Sequence, residues 1–303
     1  MDRKREKVSI LEANILYLIL GILLIFLGGF VQSKEIYTGL LITQYIIIFL
    51  PTVLYLKVKG YSLKKVLKLN KISIKQIALV PLIVIFAYPV GAFLNYIFIL
   101  LLSSFIEIKP LPIPIPESSP EFILGLIVIS LSPGICEEIL FRGMIMSSYD
   151  KLGKKKAIII SSILFGVYHF NLQNLLGPIF LGIVFGLIVY KTDSIYSSMI
   201  GHGFNNAIAL AIGYFLLEKA DNIPTEAIDM PTDFFTNILA IIVGLVFSII
   251  CGTISYKLYK ALPESEKEAE EVLEEHNSTI LDYMPLLGIS LLFIFYNYIL
   301  FFK

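Results

Sequence analysis

The residues best suited to chemistry lie between Ser132 and Gly143, reading S-P-G-I-C-E-E-I-L-F-R-G. Two adjacent carboxylates, Glu137 and Glu138, and the guanidinium of Arg142 sit late in an apolar run that begins near Phe122. A charge at bilayer depth costs about 2.5–3.5 kcal/mol on insertion scales, so such residues face a protein interior and mark function. At helical spacing Glu138 and Arg142 are i and i+4, which suits an internal ion pair. Glu137 is turned about 100° away from Glu138 and is the freer carboxylate. Pro133 removes a backbone hydrogen bond and predicts a kink just ahead of the carboxylates. Gly134 lets another helix or a substrate come close.

Of the three histidines, two lie in apolar stretches. His169 closes F-G-V-Y-H, four residues after Phe165, so a continuous helix puts the phenyl ring beneath the imidazole. His202 opens H-G-F-N-N, and Asn206 follows on the same helical face. His276 lies in an acidic stretch and reads as solvated. A carboxylate in a partly dry cavity can take a proton from water, and a neutral imidazole can share that proton or hold the water. His and Asn side chains can donate to a developing oxyanion. Together these groups suit water-activated hydrolysis of an acyl bond, most simply a peptide. Glu137, His169 and His202 also resemble a His₂Glu metal set, although the H-E-x-x-H pattern of zinc proteases is absent. The two cysteines, Cys136 and Cys251, read as small buried hydrophobes, with no cationic neighbour to activate Cys136.

The elements that must carry these groups are membrane spans. The chain of 303 residues is 57% hydrophobic and only 16% charged, against about 25% charged for a soluble domain. Its mean hydropathy is +0.83. The expected fold is an all-α polytopic membrane helix bundle of about eight or nine transmembrane helices, in a single integral membrane domain over 1–303. Candidate spans are Asn14–Gln32, Thr38–Leu56, Ile77–Ile106, Glu121–Ser148, Lys156–Asn171, Leu175–Tyr190, Ile195–Leu217, Phe234–Tyr259 and Asp282–Phe302. The fifth and sixth are short and predict a hairpin. Counted at 1.5 Å per residue, Glu137 lies roughly 18 Å from Tyr149, His169 about 20 Å from Lys156, Asn206 about 18 Å from Ser194 and His202 about 12 Å. All four therefore fall in the middle or inner part of a hydrocarbon core roughly 30 Å thick.

Basic residues alternate along the connections. Arg3, Lys4, Arg5 and Lys7 precede the first span, Lys57 to Lys75 follow the second, and Lys151 to Lys156 follow the fourth. The positive-inside rule then places the N-terminus in the cytoplasm, with the cell membrane as the expected location. Lys109–Pro120 is proline-rich and expected to be extended on the outer side. Residues 263–276 form an acidic cytoplasmic linker. Gly182 and Gly186 have the small-xxx-small spacing of close helix packing. Net charge is zero with no basic tract suited to phosphate backbones, so no nucleic-acid partner is expected.

E-E-x-x-x-R (Glu137, Glu138, Arg142), F-x-x-x-H (Phe165, His169) and H-x-x-x-N (His202, Asn206), in that order on successive apolar segments, resemble the signature of the CPBP family. These are the type II CAAX prenyl-proteases and their bacteriocin-processing and abortive-infection relatives. The resemblance covers a core of about 121–217. It implies an intramembrane endopeptidase acting near the C-terminus of a protein or peptide substrate, prenylated in eukaryotic members, in contact with membrane lipid. It further implies that Glu137 activates water with assistance from His169, and that His202 and Asn206 form the oxyanion site. Glu138 and Arg142 would support the geometry. The family has long been labelled metallo-, and a glutamate-dependent route without metal is also proposed for it. The cofactor is thus open between a divalent metal such as zinc and none. Two other readings stand beside the protease. One is a non-catalytic membrane binding or immunity protein that retains these residues. The other is a proton-coupled transporter, which the absence of an internal repeat disfavours.

Overall fold

The computed structural model describes residues 5–109, 114–217, 234–265 and 279–302, and among them every regular element is a helix. In chain order these are α1 (Ile10–Lys34), α2 (Ile36–Val58), α3 (Ile74–Leu102), α4 (Ser119–Leu152), α5 (Lys154–Val167), α6 (Leu176–Thr192), α7 (Ile195–Ile212), α8 (Phe234–Ala261) and α9 (Met284–Phe302). Seven of the helices, all but α5 and α7, are long and apolar enough to cross a membrane. The fold is therefore the all-α polytopic bundle read from the sequence. With 14 residues, α5 rises only about 21 Å and stops short of a full crossing.

Local sequence sets the helix ends. Ser9 and Glu12 form a capping box at the start of α1, and Ser73 and Gln76 do the same for α3. The Glu35 carboxylate accepts from the amides of Tyr37 and Thr38, which turns the chain sharply from α1 into α2. Gly153, at φ 93°, separates α4 from α5 in a conformation that favours glycine. The basic connections gather at one end of the bundle. Arg5 pairs with Tyr61, Lys68 bonds Asp193 at 2.8 Å, and Ser194 donates to the carbonyl of Asn70. Residues 110–113 of the proline-rich connection, and 266–276 of the acidic linker with His276, lie outside the described residues.

The centre of the bundle is aromatic. Phe141 of α4 meets Tyr17 of α1 and both Phe165 and Tyr168 at the end of α5, with ring centroids 5.1–6.2 Å apart. The Tyr17 hydroxyl donates to the carbonyl of Leu164 at 2.8 Å. This cluster fixes the end of α5, two residues before His169. Beside it α5 and α6 pack closely. A Cβ added at Gly182 would lie 2.9 Å from that of Ser162, so the expected small-residue contact is made between these two helices.

Candidate active site

The site begins where α4 crosses α7. A Cβ on Gly134 would lie 2.9 Å from the backbone nitrogen of Gly203, so the helices touch backbone to backbone there. The neighbour that Gly134 admits is thus another helix. Pro133 has no N–H to offer the carbonyl of Ile129 four residues earlier, and that carbonyl accepts from Asn206 Nδ2 at 3.1 Å. Ser130 Oγ adds a 2.6 Å bond to the carbonyl of Gly203. α4 runs on through Pro133, with wide π-type turns at Leu126–Leu131 and Ile139–Ile145 on either side of the carboxylates.

This close crossing brings Glu138 to His202. Glu138 Oε1 accepts from His202 Nδ1 at 2.9 Å and from Arg142 Nη1 at 2.9 Å, and all three side chains are buried. The expected Glu138–Arg142 pair is present and includes a third member. Phe165 and Phe185 clamp the assembly. The Arg142 guanidinium lies 4.5 Å from one ring centroid and 5.3 Å from the other, and Nη2 donates to the carbonyl of Gly182. The His202 ring stacks on Phe185 at 5.4 Å and meets Phe165 edge-on at 5.5 Å. With Nδ1–H given to Glu138, Nε2 is the nitrogen left to a ligand.

His169 departs from the expectation that it shares a helical face with Phe165. α5 ends at Val167, and His169 sits in the turn beyond it. The contact survives by a different geometry. His169 Nδ1 donates to the carbonyl of Phe165 at 2.9 Å, and the imidazole stands edge-on to the Phe165 ring at 5.0 Å. That tautomer leaves Nε2 with a free lone pair, a proton acceptor. Both imidazoles thus press on one phenyl ring.

After His169 the chain is non-helical at Phe170 and Asn171 before the 3₁₀ turn Leu172–Asn174, and side chains of other helices satisfy the backbone there. Asn297 of α9 accepts from the Leu172 amide at 2.7 Å and donates to the carbonyl of Phe170. Asn95 of α3 donates to the carbonyl of Gln173 at 2.8 Å and accepts from the amide of Gly177. Phe170 itself adopts φ 47°, a left-handed conformation uncommon for an aromatic residue and held here by its surroundings.

Two cavities meet at this turn. The smaller, about 230 Å³, is lined by Glu137, His169, Gln32, Thr43, Gln44 and Tyr168 among others. The larger, about 630 Å³, has mostly apolar walls from α3, α6 and α7 and is lined by His202, Asn206 and again His169. Glu137 and the His202–Asn206 pair therefore open on different cavities, and His169 belongs to both. The site thus has two chambers that share a histidine.

The metal set does not assemble. Among the described residues no group of three or more His, Cys, Asp or Glu side chains is placed to hold an ion. Glu137 opens on a different chamber from His202, so the two do not converge on one point. The donor arrangement does not fit a bound zinc.

Four polar residues at the site went unread in the sequence. Gln44 of α2 donates to Glu137 Oε1 at 2.8 Å, and Asn205 donates to Asn206 Oδ1 at 3.1 Å. Asn95 and Asn297 hold the His169 turn. Each is a lone or paired amide in an apolar span, and that rarity is itself a signal that one aligns with protein rather than lipid.

Of the comparisons with known proteins, one finds a likeness, and it covers a single segment. Residues 119–208 match the family model described as Type II CAAX prenyl endopeptidase Rce1-like. No curated protein and no solved structure matches the chain.

Proposed function

Given that residues 119–208 belong to the Rce1-like family of type II CAAX prenyl endopeptidases, we propose that this integral membrane protein hydrolyses a peptide bond near the C-terminus of a prenylated protein, using a water molecule activated by Glu137. One observation supports this above others. His169, with its Nε2 lone pair free, lines both the chamber that holds Glu137 and the chamber lined by His202 and Asn206.

The smaller chamber sets the polar groups of Glu137, His169, Gln32, Thr43 and Gln44 among apolar walls and has room for several waters, each of which occupies roughly 30 Å³ in the liquid. Glu137 takes a proton from one of them, and His169 Nε2 orients it towards the larger chamber. The water oxygen bonds to the scissile carbonyl carbon, and the carbonyl oxygen becomes an oxyanion. The second amide N–H of Asn206 stabilises it, and His202 donates from Nε2 when the ring carries both protons. The Glu138 carboxylate accepts from His202 Nδ1 and holds the orientation of the ring. The C–N bond then breaks, and the leaving amine takes the proton from Glu137, directly or through His169. The apolar walls of the larger chamber suit an isoprenyl chain or apolar side chains next to the cleaved bond. The end of the bundle that gathers the basic connections faces the cytoplasm, where C-terminal substrates are presented.

The test uses purified protein with a farnesylated C-terminal-box peptide, the same peptide unmodified, and each with and without chelator. The expected result is cleavage that favours the farnesylated peptide and survives chelation. Failure to cleave either peptide would overturn the reading.

A further inference from the structure

Gln44 lies on α2, outside the segment that matches the family model. It is 5% exposed, in the stretch Ile42–Phe49 that packs along Ser132–Glu138 of α4. Its Nε2 donates to Glu137 Oε1 at 2.8 Å. Rotating the amide by 180° would set its carbonyl oxygen against a carboxylate oxygen, so the chemistry allows only this orientation. Gln44 lines the smaller chamber together with Glu137 and His169. Among the described residues, the side chain that its amide bonds is Glu137.

We propose that Gln44 is a positioning residue for Glu137. The amide fixes the carboxylate through Oε1, so that Oε2 is the oxygen that takes the proton from water in the smaller chamber. The inference rests on the proposed role of Glu137 as the base, and it adds that the reaction centre is completed by a helix beyond the matched segment. Replacing Gln44 by an apolar residue of the same bulk keeps the packing of α2 on α4, while catalysis falls because Glu137 is free to turn.

The experiment compares wild type, Gln44→Leu and Gln44→Glu as purified full-length proteins. Gln44→Leu keeps the bulk and removes the donor. Gln44→Glu keeps the shape and turns the donor into an acceptor. In both, kcat on the farnesylated peptide is expected to fall by about 10- to 100-fold, with KM within about threefold of wild type. The thermal midpoint of Gln44→Leu is expected to stay close to that of wild type, which shows that the fold is intact. A second readout needs no activity. High-resolution structures should show one Glu137 rotamer in wild type and more than one in Gln44→Leu. A kcat within about threefold of wild type in either variant, or a single unchanged Glu137 rotamer in Gln44→Leu, would overturn the proposal. If wild type cleaves no peptide, the protease reading fails, and the rotamer comparison still decides whether Gln44 positions Glu137.

Discussion

His202 is tied to Glu138 by a 2.9 Å hydrogen bond, made where the Glu138 side chain has no exposed surface at all. The same carboxylate oxygen pairs with Arg142, so one acid accepts from two donors inside the bundle. Breaking a buried pair by removing one partner leaves the other charge uncompensated and costs about 3–5 kcal/mol. Glu138→Gln is therefore expected to lower the thermal midpoint in detergent and to reduce the yield of folded protein. A midpoint equal to that of wild type would argue that the Arg142 charge is satisfied elsewhere.

Asn206 is oriented from two sides, by the carbonyl of Ile129 and by the amide of Asn205. With Oδ1 occupied by Asn205, the remaining N–H is the group available to an oxyanion. Removing one such donor lowers kcat by about 10²-fold or more in other hydrolases. Asn206→Ala is expected to show that loss in kcat with little change in KM. Unchanged turnover would remove Asn206 from the oxyanion site.

The turn that carries His169 depends on α9. Asn297→Leu would leave the Leu172 amide and the Phe170 carbonyl without their partner, at about 1–3 kcal/mol for each unpaired group. Hydrogen exchange at Leu172 should accelerate, and kcat should fall as His169 loosens. Wild-type exchange at that amide would show that α9 does not hold the turn.

Orientation can be read by labelling. Cys136 and Cys251 are buried, so a cysteine introduced at the surface reports without strong background. In intact cells an impermeant thiol reagent is expected to reach Lys34→Cys and to miss Lys64→Cys. The reverse pattern would invert the proposed topology.

How far the sequence went depends on which physical signal each feature left. The spans were legible because lipid demands long apolar runs, and the boundaries of α4 and α9 fall within a few residues of those read from composition. The Glu138–Arg142 pair was legible because i and i+4 positions on one helix need no tertiary information. His169 was misread for the same reason in reverse. Its spacing from Phe165 is helical, yet α5 stops at Val167, and what stops it lies on distant elements that spacing cannot reveal. The Tyr17 hydroxyl on Leu164, and Asn95 and Asn297 on the turn, come from α1, α3 and α9. The link from Glu138 to His202 spans 64 residues and exists only because two glycines let α4 and α7 touch. The division into two chambers is likewise a property of packing.

The central claim is that Glu137 is the base, and the most direct measurement is the single-turnover rate of Glu137→Gln on a farnesylated C-terminal-box peptide. An amide keeps the size of the side chain but cannot take the proton from water. The account predicts no cleavage above background from a variant that is folded and still binds the peptide. A rate within a few-fold of wild type would contradict it.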